Sequence, residues 1–184
     1  MKPKPKPRVV MDSGTFQATL DRLASEIVER TRGLEGSLAL VGIRTRGVPL
    51  ARRIAQGIES RTGAKPSIGA LDITLYRDDL TSVAAQPIVR KTELPFAMDD
   101  AWVVLVDDVL FTGRTVRAAI TALIDFGRPR KIELLVMVDR GWRELPIQAD
   151  YVGKAIQTAR EHTVQVLLAE EDGRDEVVLV ENSS

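Results

Sequence analysis

The chain contains no cysteine and a single histidine, His162. No disulfide framework, thiolate nucleophile or cysteine-ligated metal is available, and a multi-histidine metal site is excluded. A histidine-centred mechanism would rest on that one side chain. Charge of one sign is also lacking: the formal net charge is +0, so no global field recruits nucleic acid or membrane, and only a local basic face stays open. No apolar run approaches the roughly 20 residues needed to span a bilayer. Nothing reads as a signal peptide, so a cytoplasmic enzyme is the expectation. What is present is ordinary for a globular domain. The 184 residues are 44% hydrophobic and 28% charged, a size that buries roughly 70% of the unfolded surface.

The most informative stretch is Trp-Val-Val-Leu-Val-Asp-Asp-Val-Leu-Phe-Thr-Gly-Arg-Thr, residues 102 to 115. Trp102 to Val106 is an unbroken apolar run rich in β-branched residues, which predicts a strand buried on both faces of a parallel sheet. Two carboxylates, Asp107 and Asp108, follow at once. Thr112-Gly113-Arg114-Thr115 then makes a turn, and Val116, Ala119, Ile120 and Leu123 recur at helical spacing. In an open α/β sheet, ligands bind outside the carboxyl ends of the strands. The turn offers backbone N–H groups, two hydroxyls and the positive end of a helix, which suits a phosphate. The carboxylates accept hydrogen bonds, so they suit a diol or hydrated Mg²⁺. Together they describe a ribose 5-phosphate site. The spacing is neither that of a Walker A loop nor that of Gly-x-Gly-x-x-Gly. The plain alternative is a solvated acidic turn between a core strand and a core helix.

Residues 1 to 11, opening on Met-Lys-Pro-Lys-Pro-Lys-Pro-Arg, read as a disordered basic tail, and residues 12 to 184 as one domain. Phe16, Leu20, Leu23 and Ile27 mark an amphipathic helix from Ser13 to Arg32. Ser37 to Ile43 is a second buried strand. It ends in Arg44-Thr45-Arg46-Gly47, and a helix runs from about Val48 to Arg61. Two guanidiniums at a strand's carboxyl end suit pyrophosphate. Ser67 to Tyr76 reads as a strand, followed by a long polar connection to about Arg90, a pattern often found in active-site lids. Lys131 to Val138 is a further strand, ending in Asp139-Arg140-Gly141. Thr163 to Ala169 and Glu176 to Val180 read as a hairpin around an acidic turn. No internal repeat or domain linker appears.

The 102–115 stretch resembles the PRPP-binding motif of type I phosphoribosyltransferases. The wider chain resembles the PyrR family, bifunctional pyrimidine-operon attenuators with uracil phosphoribosyltransferase activity. That likeness rests on residues 41 to 51, 72 to 80, 104 to 118 and 138 to 154. It implies an α/β fold with a central, mostly parallel sheet flanked by helices, a small hood and a β-hairpin. It implies PRPP and uracil as substrates, UMP and pyrophosphate as products, Mg²⁺ as cofactor, and a homodimer or larger assembly. By the same resemblance Asp107 and Asp108 hold the ribose hydroxyls and, through water, the metal. The loop Val109, Leu110, Phe111, Thr112, Gly113, Arg114, Thr115 cradles the 5-phosphate. Arg44, Thr45 and Arg46 take pyrophosphate, with Arg77 and Arg90 closing over it. The base lies beside Val138, Asp139 and Arg140, with Val164 closing the pocket.

Departures from the family pattern fall on its RNA face. Asp21 replaces a threonine, Ser25 a histidine, Trp142 a histidine, Gln148 an arginine and Ala155 an asparagine; Arg22, Arg143 and Lys154 remain. Each lost cationic contact weakens RNA binding, and Asp21 adds repulsion. The expectation is an intact enzyme whose binding to pyrimidine-operon mRNA is weakened or lost. A UMP- or UTP-sensing RNA regulator, and an enzyme for a purine or orotate, are the competing readings.

Overall fold

The computed structural model describes residues 7–33, 37–77 and 91–181. Five parallel strands form the main sheet in the order β3-β2-β4-β5-β6: β2 (Leu38–Ile43), β3 (Ser67–Leu71), β4 (Trp102–Leu110), β5 (Lys131–Asp139) and β6 (Tyr151–Ala155). Helices α1 (Ser13–Arg30) and α2 (Gly47–Thr62) pack one face, and α3 (Arg114–Ile124) packs the other. A second, antiparallel sheet runs β1-β8-β7, from β1 (Arg8–Met11), β7 (Thr163–Leu167) and β8 (Glu176–Val180), with the single turn α4 (Ala169–Asp172) between the last two. Its Met11, Val164, Val166, Val177 and Leu179 share a core with α1 and α2. This small sheet is the hood. No helix among the described residues is long and apolar enough to cross a membrane.

Strand order locates the site. From β2 the chain passes through α2 to β3 on one side. It then returns across β2 to enter β4 on the other side. The connections therefore diverge between β2 and β4, and a crevice opens at their carboxyl ends. Both loops singled out in the sequence, 44–46 and 107–115, sit at that divide.

The local sequence explains most elements. Asp12 caps α1 by accepting the Thr15 N–H at 2.8 Å. Gly63, at φ +71°, ends α2 in the left-handed conformation that glycine tolerates. Buried β4 alternates its apolar side chains between the two cores: Val104 and Val106 go to the α1/α2 side, Val103 and Leu105 to the α3 side.

Three expectations change, and one strand had none. β3 stops at Leu71 rather than Tyr76, because Asp72 Oδ1 accepts the Thr74 N–H (2.8 Å) and hydroxyl (2.5 Å) and folds Thr74–Tyr76 into a 3₁₀ turn. β4 continues past Val106 through both aspartates to Leu110, since β5 pairs along that whole length. The tail reading of residues 1–11 fails at Arg8–Met11, which pairs with β8; residues 1–6 lie outside the described residues. β6 carried no expectation, yet it extends the sheet beside β5.

At the opposite, amino end of the sheet lies a polar cluster. Buried Glu133 accepts from Trp102 Nε1 (3.1 Å), Lys131 Nζ (2.7 Å) and the Tyr151 hydroxyl (2.6 Å). Burial pushes its carboxyl up, and the three donors outweigh that and hold it below the usual carboxylate value. The Lys131 ammonium also lies 4.5 Å from the Trp102 ring centroid.

Candidate active site

The acidic pair forms inside β4. Asp107 is 7% exposed, and its Oδ1 accepts the Asp108 N–H at 2.9 Å. Asp108 Oδ1 accepts the Val109 N–H at 2.8 Å. Burial, then the neighbouring Asp108 carboxylate, pushes the Asp107 carboxyl well above its ordinary value. Among the described residues neither carboxylate has an ion-pair partner.

Next to the pair, Phe111, Thr112, Gly113, Arg114 and Thr115 line a cavity of about 230 Å³, together with Arg77, Val109, Leu110 and Val116. Gly113 sits at φ +91° just before α3 and supplies no side-chain cap, while the Arg114 N–H reaches Thr112 Oγ1 at 3.4 Å. The next N–H groups, of Thr115 and Val116, face the end of the helix that suits an anion. Arg114 Nε binds Glu144 Oε2 at 2.9 Å, and Arg160 pairs with the same carboxylate.

The second loop is brought to the pair by two glycines. A Cβ on Gly42 would meet the Gly47 and Val48 backbone at 2.5 Å, and a Cβ on Gly47 would meet the Val106 carbonyl oxygen at 2.3 Å. Only bare backbone lets the start of α2 touch β4 one residue before Asp107. Arg44 and Thr45 are joined by a cis peptide bond. Arg44 Nε donates to the Lys91 carbonyl at 3.0 Å, and its Nη2 lies 3.5 Å from Glu93. Arg46 turns toward the hood: Nε donates to the Val166 carbonyl (2.8 Å), and Nη2 binds both Asp172 oxygens (3.1 and 3.2 Å).

The third loop follows β5. Asp139 accepts from the Gly141 N–H (2.9 Å) and from Arg143 Nη2 (2.5 Å). Arg140 is only 6% exposed. Its guanidinium lies 4.1 Å from the Phe111 ring centroid and donates to Thr158 Oγ1 (3.3 Å) and the carbonyls of Ala159 (2.9 Å) and Arg160 (3.2 Å). Val138 and Val164 are both buried in the core shared with α1 and α2. Neither lines the cavity, and Val164 belongs to β7 of the hood. Arg77 reaches the cavity, while Arg90 and Asp78 to Leu80 lie outside the described residues.

The three basic residues kept from the family's RNA face all have internal acceptors. Arg22 pairs with Glu26 (2.5 Å) and donates to the Val152 and Gly153 carbonyls. Lys154 Nζ donates to the Val10 carbonyl at 2.8 Å. Arg143 is enclosed among loop carbonyls. Thr158, Glu144 and Asp172, which fasten the three loops, escape sequence reading because their roles depend on partners 16 to 126 residues away.

An acidic pair, a helix start that suits an anion and a glycine-tethered arginine loop, joined at the switch point of a parallel sheet, define a phosphoribosyltransferase. Residues 11–171 match the family model described as the phosphoribosyl transferase domain. The Bifunctional protein PyrR of Pelotomaculum thermopropionicum is 54% identical over 95% of this chain and 96% of its own. That of Deinococcus radiodurans is 55% identical over 92% of each chain, and that of Thermus thermophilus 56% over 94% of each. The chain belongs to the PyrR family. Among solved structures, a hypoxanthine phosphoribosyltransferase of Trypanosoma cruzi shares the fold at a TM-score of 0.73 and 16% identity, over 98% of this chain and 94% of that one. One from Staphylococcus aureus does so at 0.70 and 20%, over 97% and 94%.

Proposed function

We propose that this phosphoribosyltransferase transfers the phosphoribosyl group of PRPP to uracil with Mg²⁺, giving UMP and pyrophosphate. The observation that carries the reading is the carboxylate pair, with Asp107 buried and its carboxyl raised, set beside a phosphate-sized cradle at the sheet's switch point. The relatives' printed name, bifunctional protein PyrR, leaves the base to be tested.

The residues fit Mg²⁺. No group of three or more His, Cys, Asp or Glu side chains gathers among the described residues. Two carboxylates alone suit an ion that keeps waters and takes its other oxygens from substrate phosphates. When bound, Mg²⁺ neutralises charge developing on the leaving pyrophosphate.

The chain's own groups do the rest. Thr112, Thr115 and the α3 N–H groups hold the 5-phosphate. Asp107 and Asp108 accept from the ribose hydroxyls and face the positive charge that grows on the ring as the C1–oxygen bond breaks. Arg44 and Thr45 lie where pyrophosphate departs, and Arg77 screens the cradle from water. Uracil N1 bonds to C1, and its proton leaves to solvent. Asp139 is a poor general base, because Arg143 and the Gly141 N–H already occupy its oxygens.

Attenuator binding is weakened or lost in this reading. Arg22, Arg143 and Lys154 are held internally, and Asp21 stands 3.5 Å from Arg61 on the same face.

The test is UMP formation from uracil and PRPP with Mg²⁺, with cytosine, orotate, adenine and hypoxanthine run in parallel. Turnover with uracil alone, lost in the Asp107→Asn/Asp108→Asn double variant, is the expected result. Turnover with a different base replaces uracil. No turnover with any base, together with tight UMP binding, favours the sensor.

A further inference from the structure

Resting on the phosphoribosyl-transfer reading, we propose that Arg143 is a positioning residue that holds the base loop in register with the phosphate cradle. Its one guanidinium joins three separate segments. Nη1 donates to the Phe111 carbonyl at 2.9 Å and to the Gly141 carbonyl at 3.1 Å. Nη2 donates to Asp139 Oδ2 at 2.5 Å. Nε donates to the Ile147 carbonyl at 2.9 Å. Phe111 belongs to the cradle, Asp139 and Gly141 to the base loop, and Ile147 to the return toward β6.

Backbone joints run along the same seam. The Arg140 N–H reaches the Leu110 carbonyl at 3.1 Å, and the Glu144 and Leu145 N–H groups reach Thr112 at 2.9 and 3.2 Å. Phe111 is thus fixed twice: its carbonyl by Arg143 and its ring by the Arg140 stack. A substrate that joins phosphate and base through one ribose needs those two loops at a fixed separation. Arg143 spans them with hydrogen bonds to both, to the Phe111 carbonyl and to Asp139 and the Gly141 carbonyl.

The chemistry requires arginine. Four acceptors in different directions match a planar fork of donors, whereas a lysine ammonium presents its donors from one atom. A role as a phosphate-binding cation would need only the charge, which lysine keeps. The two roles therefore separate cleanly in Arg143→Lys.

The experiment is calorimetric binding of ribose 5-phosphate and UMP to the wild type, Arg143→Lys and Arg143→Ala. Ribose 5-phosphate probes the cradle alone, and UMP probes cradle and base loop together. In both variants the advantage of UMP over ribose 5-phosphate is expected to fall roughly tenfold or more, the scale of one lost charged hydrogen bond. Affinity for ribose 5-phosphate should stay within about threefold. In turnover, KM for the base rises while KM for PRPP holds. A wild-type UMP advantage in Arg143→Lys overturns the proposal, and so does an equal loss for both ligands. Should Arg143→Ala melt below the assay temperature, Arg143→Lys carries the test. Asp139→Asn, which weakens one of the four contacts, must then move the ratio the same way by less. If the wild type prefers CMP, AMP or GMP over UMP, the uracil reading fails and the ratio is read with the preferred nucleotide. Preference for none sinks both.

Discussion

At the scale of single residues, Asp107 sets stability against function. Its carboxyl is pushed up by burial and by Asp108, so the folded chain binds its proton more tightly than the unfolded chain does. The stability contributed by the neutral form is complete below the ordinary carboxylate value of 3.8 and is lost as pH rises through the folded value. At neutral pH the buried carboxyl therefore costs the apo fold stability. Asp107→Asn is expected to raise the melting temperature near pH 7, with the gain shrinking as the pH is lowered toward 4. Thermal melts across that range check it, and a lower melting temperature at every pH would refute the burial argument. The same substitution should cut turnover by roughly a hundredfold or more, as loss of a charge-stabilising group does in other active sites. The site is thus held in a conformation that a cation and a diol complete.

At the scale of elements, backbone proximity governs the arginine loop. Gly47→Ala places a methyl 2.3 Å from the Val106 carbonyl oxygen, so α2 must shift away from β4. The expected cost is about 1–3 kcal/mol of stability. KM for PRPP should rise more than KM for the base, because the shift lands on the pyrophosphate side; steady-state kinetics with each substrate varied in turn will show it. Equal effects on both would place the loop elsewhere. The glycine itself was visible in Arg44-Thr45-Arg46-Gly47, but its reason was not, since the contact lies across two strands. Other elements divided in the same way. α1, α2, α3 and β4 announce themselves by period, caps and unbroken apolar runs. β6 is an edge strand of five residues whose last two are exposed, so it has neither a run nor a clean alternation. β1 looks like the end of a basic tail because its partner, β8, lies about 170 residues away. Two consecutive aspartates read as the end of β4, although pairing with β5 carries the strand past them. Arg143 reads as a surface cation because sequence displays a charge and conceals the carbonyls around it.

At the scale of the whole molecule, the reversal of connection between β2 and β4 decides where chemistry takes place, and the hood returns the segment from Thr163 to Val180 to it. The Arg46–Asp172 and Arg53–Glu170 pairs clamp that return. No strong positive field accompanies it, since the net charge is +0. Binding of a pyrimidine-leader stem-loop is therefore expected in the nonspecific range, weaker than about 1 µM at physiological salt. Filter binding checks this, and nanomolar affinity at that salt would restore the attenuator role. Leu75, Ile124 and Phe126 are exposed apolar side chains flanking the Tyr76–Asp125 hydrogen bond in sequence, and light scattering is expected to find a mass above the 20.3 kDa of one chain. The two tryptophans of the chain stand at opposite ends of the sheet. Trp102 is tied to buried Glu133 at the amino end. Trp142 is 46% exposed beside the base loop, its N–H on the Thr158 carbonyl. Their emission should separate by colour. A blue component from Trp102 reports loss of the whole fold, while a red component from Trp142 reports occupancy of the site, so one fluorescence spectrum can follow unfolding and ligand binding without any added label.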